Sequence, residues 1–374
     1  MQGVIERRRH YLGLMRHCTL DHGHFTVTDI QQNAKVPRST AQDWINRLIA
    51  EGCVAVKEPK KGRTPARYAA TSAMPQSACR RIFTTVDGDW VEIFHECMSG
   101  GCAAFCGHHH TIAGGVIAVA RRDGTLLREC ARIGGSEVRI GLYPSAAVGI
   151  SGIRRSGKFI VQHVRCIGGP AYSLTDMISH ADGVENVRIR RKGAVVEGEV
   201  WTRALNHLVI GVDDTDTPAG GATFALALAL LQHLATLPDV FPIGHHVAML
   251  YPGAPVKTAG NSCSFIEVAV DPAKTGVLLE RVNRFVADEA LSPEWGVATR
   301  EGFLIPAGLR DFGLECRRKV IKKDQAERTA QEFGVRLAGG DGIIGALAGV
   351  GLCGLDNAVL LDPRIEPGEG LAGG

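Results

Sequence analysis

Leu208–Thr223 reads LVIGVDDTDTPAGGAT: an apolar run that ends in three carboxylates, Asp213, Asp214 and Asp216, and passes through glycines into a second apolar segment. Val209, Ile210 and Val212 have the pattern of a buried strand, whereas Ala222–Leu234 is rich in alanine and leucine and long enough for a helix packed on a sheet. Strand, acidic turn and helix in this order predict an α/β unit with its acids at the strand's carboxyl edge. In open α/β sheets that edge is where ligands bind, because helix N-termini present free N–H groups to anions.

Carboxylates this close repel one another, and a hydrated Mg²⁺ bridging to substrate phosphates would compensate them. Asp213, Asp214 and Asp216 are therefore the candidate magnesium ligands, with an ordinary acidic turn as the alternative. Downstream, Tyr251–Phe265 (YPGAPVKTAGNSCSF) places Lys257 and Thr258 before Gly260 and Asn261, between two strand-like segments. Lysine is a point charge suited to phosphate, and glycine lets backbone approach a ligand. Gly339–Gly351 (GGDGIIGALAGVG) reads as a glycine-rich loop leading into a helix of small residues. The candidate nucleotide-binding set is Gly220, Gly221, Thr258, Gly260, Asn261 and Gly342. Gly349, Gly351 and Gly354 spell GxGxxG but end a helix instead of opening one, so they do not make a dinucleotide fingerprint.

In this order the three segments resemble the ATP-dependent kinase-like domain of archaeal agmatinylcytidine synthetase, which modifies the anticodon cytidine of an isoleucine tRNA. The likeness covers residues 206–356. It implies ATP with Mg²⁺ as cofactors and a catalytic set of Asp213, Asp214, Asp216, Lys257 and Thr223, the last at the threonine associated with phosphate transfer in that family. Gly220–Thr223 keep only part of the family's glycine and threonine run, Ala259 stands where the family has arginine, and the OB-fold and zinc ribbon have no counterpart. A reaction other than cytidine agmatinylation is expected. Over residues 88–356 the chain is also similar to the methanogenesis marker protein 11 family, which implies an archaeal methanogen source without bringing a reaction.

The amino-terminal segment reads differently. Tyr11–Arg16 continues one helix, Thr28–Ala34 gives a second, and Ala41, Trp44, Ile45, Leu48 and Ile49 recur at helical spacing over Ser39–Ala50, with Ser39 as N-cap. Strands at Val54–Lys57 and Tyr68–Thr71 flank a basic loop, which makes a winged helix-turn-helix. Residues 1–70 hold 12 Lys and Arg against 6 Asp and Glu, net +6, so the rest of the +3 chain carries −3. That asymmetry predicts DNA or RNA as partner through Arg38, Gln42, Asn46 and Arg47 on the recognition helix and Lys57, Lys60, Lys61, Arg63 and Arg67 on the wing. Dimerisation is the alternative use of such a module.

At 374 residues and 45% hydrophobic content the chain has room for two or three domains. The expected division is a winged helix at 1–72, a β-rich α+β middle domain at 75–205, an α/β kinase-like domain at 206–362 and a disordered tail at 363–374. In the middle, strands are expected at Val91–Phe94, Gly115–Ala120, Thr125–Arg132, Phe159–Cys166, Val187–Arg190 and Val195–Trp201, with an Asp123-Gly124 hairpin turn and a short helix over Pro144–Ile150. No segment reads as a signal or a membrane span, so a cytoplasmic protein with its 11 cysteines reduced is expected. His95, Cys97, Cys102, Cys106 and His108–His110 form a second cluster, for which Cys97, Cys102, Cys106 and His108 are candidate ligands of zinc or an iron–sulfur cluster. Its irregular spacing also fits buried free cysteines beside exposed histidines in a loop. Arg317, Arg318, Lys319, Lys322 and Lys323 read as the solvated face of a helix.

Two functions from different classes follow. One is an ATP- and Mg²⁺-dependent phosphotransfer or nucleotide-activating enzyme, with RNA as a candidate substrate. The other is a winged-helix transcriptional regulator with a nucleotide-sensing C-terminal domain.

Overall fold

The computed structural model describes residues 2–62, 64–73, 78–255 and 260–366. The chain divides into two compact units, Met1–Ala78 and Cys79–Gly374.

The first unit is the expected winged helix. It comprises α1 (Gln2–His22), α2 (Val27–Ala34), α3 (Arg38–Ala50), β1 (Val54–Glu58) and β2 (Arg67–Ala70), with β1 and β2 antiparallel. Thr26 caps α2 through a reciprocal bond with Asp29, which reduces the number of unsatisfied N–H groups at that end. The expected Ser39 cap is replaced by Pro37: its extended backbone turns the chain into α3 without a side-chain bond, and Ser39 falls inside the first turn. Ala41, Ile45 and Leu48 are buried against Ile30 and Phe25, as the helical spacing requires.

The second unit begins with β3 (Cys79–Asp87), β4 (Trp90–Cys97), α4 (Gly100–Ile112), β5 (Ile117–Asp123), β6 (Leu126–Arg132), β7 (Gly134–Gly135), β8 (Val148–Ser156), β9 (Phe159–Ile167), α5 (Gly169–Asp176) and β10 (Val184–Lys192). It continues with β11 (Val195–Asp213), α6 (Thr223–Ala235), β12 (Val240–Met249), β13 (Ser262–Val270), α7 (Thr275–Glu289), β14 (Gly296–Glu301), α8 (Ala307–Cys316), α9 (Lys323–Glu332), β15 (Arg336–Gly339), α10 (Ile343–Leu352) and α11 (Asn357–Leu361).

Strand β11, 19 residues long, organises everything else. Its first half pairs antiparallel with β9 and β10, Ala204 and Leu205 pair parallel with β3, and its last residues pair antiparallel with β13 and β14. The boundary read at 205/206 thus falls inside one continuous strand. The sheet around residues 206–213 is antiparallel, with order β12-β13-β11-β14-β15, so its edge is not the switch point of a parallel sheet. Alternation along β11 sends Leu208, Ile210 and Val212 into a core with α6 and α7, while Val209 packs toward α8 and α10.

Several local expectations shift. The hairpin joining β5 and β6 pairs Asp123 with Leu126, so its turn is Gly124-Thr125, with Gly124 at a φ of 55°. Val148–Ile150 belong to β8, paired with β9, and the helix expected over Pro144–Ile150 does not form. The Cys/His segment, expected as a loop, is α4, capped by the Ser99 hydroxyl accepting from the Cys102 N–H at 3.2 Å. Most of the basic run, Arg317–Lys322, lies between α8 and α9, with Lys323 opening α9, and Arg317 is buried with its guanidinium donating to the Val359 and Leu360 carbonyls.

Candidate active site

Asp213 is the last residue of β11 and shares the face of Val209 and Gly211, the side covered by α10. The helix comes so close that a Cβ on Gly211 would sit 1.9 Å from the Ala346 carbonyl oxygen, and one on Gly345 would sit 1.6 Å from Asp213 Oδ2. Glycine at these two positions is what allows the first turn of α10 to lie on the acidic strand end. Asp213 is 8% exposed, and burial first, then Asp214, holds its carboxyl well above the usual aspartate range.

The chain turns sharply after it. Asp214 adopts a φ of 53°, a left-handed conformation that aspartate tolerates better than most residues, and the residue is exposed. Partial desolvation of the carboxyl and the neighbouring charges of Asp216, Asp341 and Glu294 raise its pKa. Thr223, at the first position of α6, accepts from the Thr215 N–H at 3.3 Å and donates to Asp216 Oδ1 at 3.1 Å. Its hydroxyl therefore braces the acidic turn. Thr217 and Gly220 exchange backbone bonds of 2.9 and 3.0 Å, closing the turn that leads through Gly221 into α6.

The glycine segment and the acids meet, as the sequence suggests. The Gly342 N–H donates to the Glu294 carbonyl at 2.8 Å, the Asp341 N–H to Glu294 Oε2 at 3.1 Å, and Lys323 Nζ lies 3.0 Å from Asp341 Oδ1. Glu294 and Asp341 are not among the expected site residues. Asp341 lies inside the Gly339–Gly351 segment, but Glu294 carries no local signal. Lys257 and Thr258 lie outside the described residues. Asn261 Nδ2 donates to the Tyr251 carbonyl at 2.8 Å, spanning the base of that loop, and the position above Gly260 is open.

Carboxylate oxygens of this kind suit a hard cation that keeps most of its waters. Yet among the described residues no three His, Cys, Asp or Glu side chains are gathered closely enough to hold a metal ion. The same holds for Cys97, Cys102, Cys106 and His108. Helical pitch explains part of this, since His108 lies two residues past Cys106 and is exposed on another side of α4, while His110, one turn on, is buried. The thiols nonetheless act on one another: Cys106, together with burial, holds the Cys97 thiol well above its usual range, and burial pushes Cys79 up to about 12.

In the winged helix, Arg38, Lys60 and Lys61 are exposed and their side chains have no bonded partner among the described residues. Gln42 donates to Asn46 at 2.9 Å, Arg47 reaches Glu51 at 3.3 Å and covers Trp44, Lys57 donates to the Gly23 carbonyl at 3.0 Å, and Arg67 is paired with Glu58 at 3.2 Å. Arg63 lies outside the described residues. Among the described residues no helix is long and apolar enough to cross a membrane.

A winged helix, and a strand-borne acidic turn under a glycine-led helix, are the two modules that fold and site define. Residues 10–74 match the model of the sugar-specific transcriptional regulator TrmB family, and residues 209–277 match that of the TiaS TCKD domain. Among similar proteins, an uncharacterized protein of Methanocaldococcus jannaschii, MJ0921, is 29% identical over 178 residues, which is 46% of this chain and 59% of that protein. The isoleucine-tRNA 2-agmatinylcytidine synthetase TiaS of Pyrococcus horikoshii is 33% identical over 152 residues, 38% of this chain and 35% of the synthetase. The crystal structure of TiaS in complex with its isoleucine tRNA and ATP aligns with a TM-score of 0.36 and 27% identity over 39% of this chain and 36% of that one. The matches therefore span between 35% and 59% of the length of these two relatives.

Proposed function

We propose that the chain is an ATP- and Mg²⁺-dependent enzyme that transfers a phosphoryl group to, or activates, a nucleic-acid substrate, with RNA as the favoured class. One observation carries this reading. Asp213 lies under the first turn of α10 and the charges of Glu294 and Asp341 act on Asp214 beside it, while the strand end and turn that carry Asp213, Asp214 and Asp216 fall within residues 209–277, which are similar to the TiaS TCKD domain. Asp214 and Asp216 would hold a hydrated Mg²⁺, which when bound would neutralise phosphate charge. Asp213, deep beneath α10, orients the turn. Thr223 keeps Asp216 in place through its hydroxyl, and Lys257, with Thr258, Gly260 and Asn261, is the proposed partner of the phosphates. Such chemistry rests mostly on positioning and electrostatics, so few groups suffice. The resemblance to methanogenesis marker protein 11 belongs to this proposal, as does a cytoplasmic location.

The test is consumption of ATP with Mg²⁺ in the presence and absence of total tRNA, comparing wild type with Asp214→Asn. Turnover that depends on RNA and disappears in the variant supports the enzyme. The similarity of residues 10–74 to TrmB favours a second reading, a transcriptional regulator whose acidic site senses nucleotide. That reading requires ATP binding without turnover, and a duplex-DNA footprint that moves when ATP is added.

A further inference from the structure

Away from the acidic turn, α4 places Cys102, Cys106 and His110 at intervals of four residues, on one helical face. That face closes one side of a cavity of about 260 Å³ whose other walls are largely aliphatic, Ile82, Ile93, Ile150 and Val200 among them. Two features give the cavity chemistry. His110 Nδ1 lies 2.7 and 2.9 Å from the carboxylate oxygens of Glu129, itself fully buried, which fixes the proton on Nδ1 and leaves Nε2 as the basic nitrogen one turn from Cys106. Gln162, from β9, is 4% exposed and lines the cavity, and its Nε2 has no hydrogen-bond partner among the described residues. A buried amide donor left unsatisfied costs about 1–3 kcal/mol, so an acceptor brought in by a ligand would be favoured there.

A nucleophile, a base oriented by a buried carboxylate and an open donor facing apolar walls are the elements of acyl transfer. We propose that this cavity is a second reactive site, in which Cys106 is the nucleophile, Glu129-held His110 its base, and Gln162 the donor to the carbonyl oxygen of a short, apolar acyl group arriving as a thioester. The space is below that of a drug-sized ligand pocket, which restricts the acyl chain to a few carbons. Cys106 Sγ forms a bond to the carbonyl carbon while its proton moves to His110 Nε2. The bond from that carbon to the incoming thioester's sulfur breaks, the departing thiolate takes the proton from His110, and the acyl group remains on Cys106. No oxidant or reductant is consumed. The reaction is independent of the acidic turn, so it stands or falls apart from the ATP-dependent proposal.

The test uses the full-length protein, purified without oxygen and without a metal-chelating tag, and the butyryl thioester of N-acetylcysteamine as probe. Intact mass and peptide mapping should show one butyryl group, on Cys106, and none in Cys106→Ser. Gln162→Leu keeps the volume and removes the donor. Its acylation should slow by roughly 10- to 100-fold, while its reaction with methyl methanethiosulfonate, which has no carbonyl, stays at the wild-type rate. Three results would overturn the proposal: butyrylation of Cys53 or Cys102 as fast as of Cys106, a Gln162→Leu rate equal to wild type, or stoichiometric zinc in the purified protein whose removal alone exposes the thiols.

Discussion

Two clusters of carboxylates share one face of β11 and obey opposite electrostatics. Near the strand's middle, His207 lies between Glu92 and Glu267, at 3.3 and 2.9 Å, and Arg128 binds the same two acids at 2.6 and 3.0 Å. His246 adds a third contact to Glu267 at 3.3 Å. Every acid there is answered by a cation. At the strand's end, roughly 20 Å further on at a strand's rise per residue, Asp213, Asp214 and Asp216 follow one another, and partial desolvation together with the charges of Asp216, Asp341 and Glu294 raises the Asp214 pKa, where Arg128 and its partners lower that of Glu267. Carboxylates already compensated by protein groups hold a fold together. Carboxylates left to repel one another leave room for something the protein does not itself supply, and this contrast marks the second cluster as the site.

The largest effect should come from breaking the compensated cluster. Glu267→Gln would leave Arg128 and His207 underpaired in the interior, and removing one partner of a buried pair costs about 3–5 kcal/mol. Denaturant unfolding at neutral pH should register it. The wild type carries a matching pH signature. Burial opposes the Glu267 charge, but Arg128 and the histidines hold its pKa well below the usual carboxylate range. Its contribution is therefore present above that range and lost as pH falls through the depressed folded value. His207 and His246 are raised despite burial, because Glu267 faces both. Their contribution is full below the ordinary histidine range and fades as pH climbs through their raised values. Stability conferred by the network should thus peak between these limits, and Glu267→Gln should flatten both flanks.

Asp214→Asn acts on the other cluster and should not lower stability, since it removes a carboxylate whose pKa is raised by partial desolvation and by its acidic neighbours. Its expected cost is a fall of about 100- to 1,000-fold in ATP turnover, the size seen when one electrostatic group of an active site is removed. Initial-rate assays with saturating Mg²⁺ measure it. Undiminished turnover would mean that the repelling cluster is not the catalytic one.

The two clusters differ in how far the sequence reveals them. Asp213–Asp216 follow one another after an apolar run, so their meaning is local and readable. So is the glycine segment, although the reason for Gly345, a helix resting on the Asp213 carboxylate, is a contact across more than a hundred residues. Glu92, Arg128, His207 and Glu267 come from four different strands, and nothing near each one names its partners. A single charge in the apolar run SCSFIEVAV is the available hint that Glu267 is paired. Helix α4 reads as a loop because two glycines open it and three histidines crowd its end, while the informative residue is the Ser99 cap before them. Antiparallel neighbours for β11 are equally invisible, since pairing direction is decided by the connections and not by the strand.

Asp213→Asn sharpens the contrast with a gain in place of a loss. Burial, and then Asp214, raise the Asp213 pKa, so the folded state binds its proton more tightly than the unfolded one. Stability then declines as pH rises from the ordinary aspartate range toward the raised folded value. The amide removes that penalty. The variant should be more stable than wild type at neutral pH by about 1–2 kcal/mol in the absence of divalent ions, with no advantage in acid. Because Asp214 and Asp216 are the proposed ligands, adding Mg²⁺ should raise the melting temperature of wild type and variant alike, and a rise lost in the variant would add Asp213 to the ligand set.

The smallest effect concerns the winged helix, whose exposed cations are the positive counterpart of the acidic turn. Lys60 and Lys61 are exposed on the wing with no bonded side-chain partner among the described residues, whereas Arg67 is already paired with Glu58. Each lysine that touches a phosphate releases about one counterion, so Lys60→Ala and Lys61→Ala should each reduce the slope of log affinity against log salt by about 1, while Arg67→Ala should change it less. Fluorescence anisotropy with transfer RNA and with duplex DNA, each at several salt concentrations, reads both the slope and the preference. Steeper binding to RNA, unaffected by ATP, is what delivery of a substrate to the acidic turn requires. A sequence-specific duplex signal that changes when ATP is added would instead couple the two modules as sensor and reader, and would move the repelling carboxylates from catalysis to nucleotide sensing.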